Sequence, residues 1–204
     1  MRTETDSLGD VQVPDDALWG AQAQRAIHNF PISGLKQPQV YLTTTALVKL
    51  AAAKVNAALG LLEESLGQAI VKAASRIVDG EYLDQFVVDP FQAGAGTSHN
   101  MNANALIANL ANESLGSKRG EYQPRHPNDH VNMGQSTNDT IPTVTRVAAC
   151  QQTDRLLAMV DNLAGALEQK SQAFDRVLKS GRTHLQDAVP VRLGQEFGGY
   201  AQAV

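Results

Sequence analysis

Residues 142–179 read PTVTRVAACQQTDRLLAMVDNLAGALEQKSQAFDRVLK, and this stretch decides the fold. No proline interrupts it after Pro142, and its only glycine is Gly165. Leu156, Val160, Leu163, Leu167, Phe174 and Val177 recur at steps of three, four or seven, the spacing that lines up one face of an α-helix. A helix over the whole stretch would be roughly 57 Å long at about 1.5 Å per residue. That exceeds an ordinary globular helix and predicts a long helical bundle. Its apolar stripe needs other helices to cover it, including some from other chains. Gly181 is expected to close the helix. The fold class expected is therefore mostly α. An N-terminal helical domain (1–138) is followed by the first long helix of a central helical bundle (139–204), with the boundary near Asn138. Residues 194–204, GQEFGGYAQAV, read as the start of a neighbouring helix without a C-cap signal. The bundle is expected to be incomplete within these residues and the chain to be truncated.

Upstream, helical periodicity runs from about Gln39 to Leu59, with Leu42, Ala46, Leu47, Leu50 and Val55 near one face, and Gly60 ends it. A second helix is expected over Glu63–Val78 and a third from about Met101 to Ser114. The first 35 residues carry turn signals and read as an irregular arm with short strands or turns. A polar connector containing Pro124 and Pro127 leads from Gly116 to Asp139. Hydrophobic residues make up 43% and aromatics only 5%, so Ala, Leu and Val must fill a core of closely packed helices. The net charge of −4, without a block of like charges, gives no electrostatic case for nucleic acid or an anionic membrane. No stretch is apolar enough to span a bilayer. Cys150 is the only cysteine; it reads as a small buried helical residue, and a reducing, cytoplasmic setting is expected.

Three polar clusters lie where turns meet helices. In Gly94-Ala-Gly-Thr-Ser-His-Asn100, Thr97 and Ser98 could offer hydroxyls to an anion at a helix start. Taken alone, capping of that helix explains them better. The second, His126-Pro-Asn-Asp-His-Val-Asn-Met-Gly-Gln-Ser-Thr-Asn-Asp139, ends at the long helix. Ser136, Thr137 and Asn138 would sit where the helix dipole favours negative charge. Such a site suits a carboxylate that gains charge during reaction. Capping needs only one or two of these side chains. His126, Asp129 and His130 are not read as a metal site, because Pro127 argues against the helix that would give their spacing one face. In the third, Ser180-Gly-Arg-Thr-His-Leu-Gln-Asp-Ala-Val-Pro190, Thr183 and His184 lie in a turn that Arg182 and Asp187 could anchor. His184 could transfer a proton or bind substrate, although a lone loop histidine is more often a surface residue.

At these clusters the sequence resembles the aspartase/fumarase superfamily. Gly-Ala-Gly-Thr-Ser-His-Asn-Met-Asn, His-Val-Asn-Met-Gly-Gln-Ser-Thr-Asn-Asp and Gly-Arg-Thr-His-Leu-Gln-Asp-Ala-Val-Pro are similar to its first two signatures and the loop leading into them. Trp19-Gly-Ala-Gln extends the match towards the N-terminus. The resemblance implies a homotetramer with active sites where three subunits meet. It implies reversible elimination from a small dicarboxylate to give fumarate, without a cofactor or a metal. It also implies that Thr97, Ser136 and Thr137 contact the carboxylate that becomes an aci-carboxylate, with Ser98 beside them as a substrate-binding residue. Thr183 would contact the other carboxylate, and Asn138 and the catalytic candidate His184 would face the leaving group. Asp84-Gln-Phe-Val-Val-Asp-Pro, Gly96-Thr-Ser and Ser136-Thr-Asn-Asp are similar to aspartate ammonia-lyases, which puts deamination of L-aspartate first. Trp19-Gly-Ala-Gln and His126-Pro-Asn-Asp are similar to fumarate hydratases, the alternative. Ala105 replaces the family's usual glutamate. The third signature, which carries the family's serine base, is absent and expected beyond Val204; a non-catalytic fragment is thus the third reading.

Overall fold

The computed structural model describes residues 1–121 and 126–204, so Pro124 lies outside the described residues. Two short strands, β1 (Arg2–Asp6) and β2 (Gly9–Val13), pair antiparallel. Buried Glu4 of β1 accepts the N–H of Ala21 at 2.9 Å. This places a carboxylate at the start of α1 (Ala21–Asn29), the helix end that favours negative charge. Arg2 binds Glu4 and the carbonyls of Pro14, Ala17 and Trp19, so the arm is held by an ionic staple.

Helices α2 (Gln39–Ala58) and α3 (Glu64–Val78) lie within a residue of their expected bounds. They pack closely at Gly67, where an added Cβ would come 2.9 Å from the Ala57 Cβ. The expected face of α2 needs correction. Leu42, Ala46 and Ala53 are buried, but Leu47 and Val55 are exposed. The inward face instead carries Thr45 and Lys49, both fully buried, because hydrogen bonds across the packing satisfy them.

Helix α4 (Thr97–Glu113) begins four residues before the expected Met101. It forms the centre of the first core, where Leu106, Ile107, Leu110 and Ala111 meet Leu42, Ile70, Ile77, Phe86 and Val131. Asparagines on α4 tie loops to this core. The Asn102 amide accepts from the Val87 N–H and donates to the Gln85 carbonyl. Asn109 donates to the Leu18 carbonyl and accepts from the Gly120 N–H. At Pro127–Val131 the chain winds one π-helical turn, against the expectation of no helix there. Pro127 stands at its first position, where a missing N–H breaks nothing.

Helix α5 (Thr137–Ala173) has 37 residues, roughly 55 Å at about 1.5 Å per residue. Its start agrees with expectation; its end does not. The chain leaves the helix at Ala173 and forms an antiparallel hairpin, β3 (Leu178–Thr183) and β4 (Gln186–Arg192), then α6 (Leu193–Ala203). The Gly194 and Leu193 N–H groups take the Phe174 and Val177 carbonyls at 3.0 and 2.8 Å, so the start of α6 ties off the segment leaving α5. Gly181 does not close the helix. It lies in β3 beside a register shift, where a Cβ would meet the Val189 carbonyl oxygen at 2.9 Å. Cys150 is helical as expected but exposed. Two compact units, Met1–Ala149 and Cys150–Val204, divide inside α5; a domain boundary at Asn138 is kept as a proposal. Among the described residues, no helix is long and apolar enough to cross a membrane.

Candidate active site

The first unit brings two of the three clusters together at the starts of α4 and α5. Ala95 and Gly96 have φ of 62° and 72°, left-handed values that reverse the chain into α4. Gly96 presses against the opening turns of α5: an added Cβ would lie 3.0 Å from a side-chain carbon of Ile141. One turn on, the Asn100 amide donates to Thr137 Oγ1 at 3.3 Å. Ser136 caps α5, its Oγ accepting from the Asn138 N–H at 3.3 Å and its carbonyl from Asp139 and Thr140. Capping thus accounts for Ser136. It does not account for Thr137, which is half-buried, or Asn138, which is exposed. Pro142 removes the donor that an unbroken helix would aim at the Asn138 carbonyl.

Thr97 and Ser98 open onto a cleft of about 340 Å³ that Asp6, Arg25, Asn29 and Met101 also line. The Arg25 guanidinium, 2.8 Å from Asp6, is the main influence holding that carboxyl below the usual carboxylate range. Buried Ala105 lines an adjoining cavity of about 270 Å³ together with Met101, His126 and Asn128. A larger side chain at 105 would project towards that space.

Beneath the two helix starts lies a buried polar network that motif reading did not assign. Lys49 Nζ donates to Asn132 Oδ1 and Gln135 Oε1, both at 2.9 Å. Asn132 Oδ1 also accepts from Asn100 and Asn104 at 3.1 and 3.2 Å. Burial lowers the Lys49 pKa to about 7. His99, also buried, bonds Thr45 Oγ1 at 2.9 Å and stacks on Phe86. Burial, and then the charge of Lys49, lower its pKa to about 4. One signal in the sequence pointed here: Lys49 continues the Leu42–Ala46–Ala53 stripe of α2, where an apolar residue is expected.

The third cluster belongs to the second unit. Thr183 pairs with Gln186 across the hairpin, and His184 and Leu185 form its two-residue turn. Both turn residues have positive φ, 51° and 61°, and both are exposed. Arg182 and Asp187 face each other at 3.7 Å, mostly in solvent. In the π-turn the His126 N–H donates to His130 Nδ1 at 2.8 Å. Among the described residues, no three His, Cys, Asp or Glu side chains group as metal ligands would. The starts of α4 and α5 thus gather hydroxyls and amides over one buried lysine, while Asp6 and its partner Arg25 line the cleft beside Thr97 and Ser98. That chemistry favours an anion.

Residues 9–204 match a family model described as Lyase. The chain belongs to this lyase family. It is the aspartase/fumarase superfamily that the motifs resemble. The lyase chain is 55% identical over its full length to a class II fumarate hydratase of Halobacterium salinarum. It is 49% identical to an aspartate ammonia-lyase of Bacillus subtilis, again over all of this chain. Each of these matches spans 43% of the relative's own length. A crystal structure titled fumarate lyase:delta crystallin, from Brucella melitensis, superposes with a TM-score of 0.88 at 48% identity. That match covers all of this chain and 46% of the other. The lyase chain therefore spans less than half the length of the relatives it matches. The names also reverse the order drawn from motif wording, since the hydratase stands ahead of the ammonia-lyase.

Proposed function

We propose that the intact protein is a class II fumarate hydratase, adding water reversibly across the double bond of fumarate to give malate. The observation that carries an anion-binding lyase site is the joining of two helix starts by Asn100 and Thr137. Hydroxyls and amides are gathered there with no carboxylate hydrogen-bonded to Asn100, Thr137 or Lys49 among the described residues. Hydratase chemistry draws support from the 55% identical relative, from Trp19-Gly-Ala-Gln and from His126-Pro-Asn-Asp. Deamination of L-aspartate is the second reading, supported by Ser136-Thr-Asn-Asp and the 49% identical ammonia-lyase.

In either reaction, Thr97, Ser136 and Thr137 hold the carboxylate that becomes doubly charged when the adjacent carbon loses its proton. Donors already in place stabilise that charge without reorganising. By the resemblance, which places each site where three subunits meet, Thr183 would hold the other carboxylate, and Asn138 and His184 would face the departing water or ammonia. The family's serine base is not among the residues assigned here. Exposed Leu156, Leu157, Met159 and Leu163 on α5 support assembly into the homotetramer that the resemblance implies.

The test follows fumarate absorbance from malate and from aspartate, with no cofactor added. Malate turnover is expected, and replacing Thr137 with Val should lower kcat about 10²–10³-fold, as loss of an oxyanion donor does. Turnover of aspartate alone would replace the hydratase by the ammonia-lyase. Turnover of neither would favour a non-catalytic protein.

A further inference from the structure

Two kinds of asparagine stand on α4. Asn102 and Asn109 are satisfied at both ends of the amide by loop backbone. Asn100 and Asn104, 1% and 0% exposed, direct their amide nitrogens at Asn132, while their carbonyl oxygens have no hydrogen-bond partner among the described residues. Buried polar atoms are nearly always paired, so the exceptions mark where the packing serves something other than stability. Lys49 lies in the same network. It is fully buried, and no ion pair to it occurs among the described residues. A buried ammonium without a counter-charge is costly. Its hydrogen bonds lead outward by a short route, from Lys49 to Asn132, from Asn132 to Asn100, and from Asn100 to Thr137 at the start of α5.

We propose that Lys49 is a positioning residue of the anion site: its ammonium clamps Asn132 and Gln135, fixes the entry into α5, and takes the incoming dicarboxylate as its counter-charge. The inference rests on the anion-site reading of the proposed function. Asn132 and Gln135 join Lys49 to the backbone as well as to each other: the Asn132 amide donates to the Gln135 carbonyl at 3.0 Å, and the Gln135 amide to the Val131 carbonyl at 2.9 Å. Loss of the lysine therefore loosens the whole turn that aims Thr137.

Lys49 also couples binding to pH. Burial alone depresses its pKa, to about 7. The titratable groups on the elements around it include His99 of α4, Asp129 and His130 of the π-turn, and Asp139 in the first turn of α5. His99 is neutral above about pH 4. Asp129 and Asp139 are exposed and His130 half-buried, and burial is the only influence on Lys49 itself. A bound dianion favours the charged amine and raises its pKa. Affinity is therefore full below about pH 7, falls as pH rises through the free pKa, and binding near pH 7 takes up a proton.

Succinate, an unreactive four-carbon dicarboxylate, is the probe. It is titrated calorimetrically into the intact wild-type protein, K49M and K49R, at about pH 6.5 and about pH 8.5 in two buffers of different ionisation enthalpy. The wild type should bind about tenfold more tightly at the lower pH and take up a proton. K49M should bind about tenfold more weakly than wild type at the lower pH, with no pH dependence. K49R, which does not titrate in this range, should recover the lower-pH affinity and keep it at the higher pH. K49M with wild-type affinity and pH profile overturns the role of Lys49 and leaves the anion site standing. Wild type that binds no succinate overturns both. Should K49M fail to fold, the wild type decides: binding without proton uptake overturns the proposal.

Discussion

His99 lies buried in the core of the first unit, and burial there changes its chemistry. Thr45 meets one ring nitrogen, and Phe86 and Tyr41 lie against the ring at 5.5 and 5.0 Å. Its pKa falls from 6.5 to about 4 on folding. Between those values the unfolded chain binds the proton and the folded chain does not, so stability rises with pH through the window. The contribution is fully present above pH 6.5 and is lost as pH falls towards 4. Roughly 3 kcal/mol should disappear across that range, at about 1.4 kcal/mol per pKa unit. Urea unfolding of the wild type and of His99→Asn at pH 7 and near pH 4.5 measures it. The wild type should lose stability and the variant much less; equal losses would mean that carboxylates, not His99, set the acid limit. Nothing beside His99 in Thr-Ser-His-Asn separates it from an exposed neighbour. Its depth comes from where α4 packs.

At the scale of elements, the β3–β4 hairpin turns on two residues that favour other conformations. Two-residue hairpin loops with both φ positive usually take Asn-Gly or Asp-Gly, and here they take His184-Leu185. Leu185 is fully exposed, so no packing among the described residues offsets its left-handed backbone. Leu185→Gly should stabilise the hairpin by up to about 1 kcal/mol, the cost of holding an ordinary residue there. Hydrogen exchange of the β3 and β4 amides would register the gain. Reduced protection would show that Leu185 packs against a neighbouring subunit and that its strain is offset by assembly. His184 shares the left-handed conformation, with φ of 51°.

At the scale of the whole molecule, α5 is expected to carry the contact between copies. Its middle carries exposed Leu156, Leu157, Met159 and Leu163, an apolar run too large for a solvated helix face. Replacing Leu156 and Leu163 together by Glu should shift the intact protein towards smaller species in sedimentation velocity. Each leucine buried in the assembly contributes roughly 1.5–3 kcal/mol. A wild-type sedimentation profile from the double variant would mean that this face is not where copies meet.

Periodicity and punctuation determined much of this protein. The bounds of α2 and α3, the start of α5 and the helical class follow from steps of three and four broken by Gly and Pro, because local backbone preference and amphipathic burial agree there. The grouping of Thr97, Ser98, Ser136, Thr137 and Asn138 near helix starts was legible for the same reason, since hydroxyls and amides collect where N–H groups are unpaired. Only the tertiary structure decided the rest. The stripe through Phe174 and Val177 continues in register past Ala173, but the chain leaves the helix there. Carbonyls of Phe174 and Val177 are taken by the start of α6, and strand pairing across 178–192 outweighs one more helical turn. Leu47, expected on the inner face of α2, is exposed, while Lys49 is buried because the amides of Asn132 and Gln135, just after the π-turn, satisfy its ammonium in the core. Burial of that kind is a property of what lies opposite, which a one-dimensional pattern does not carry.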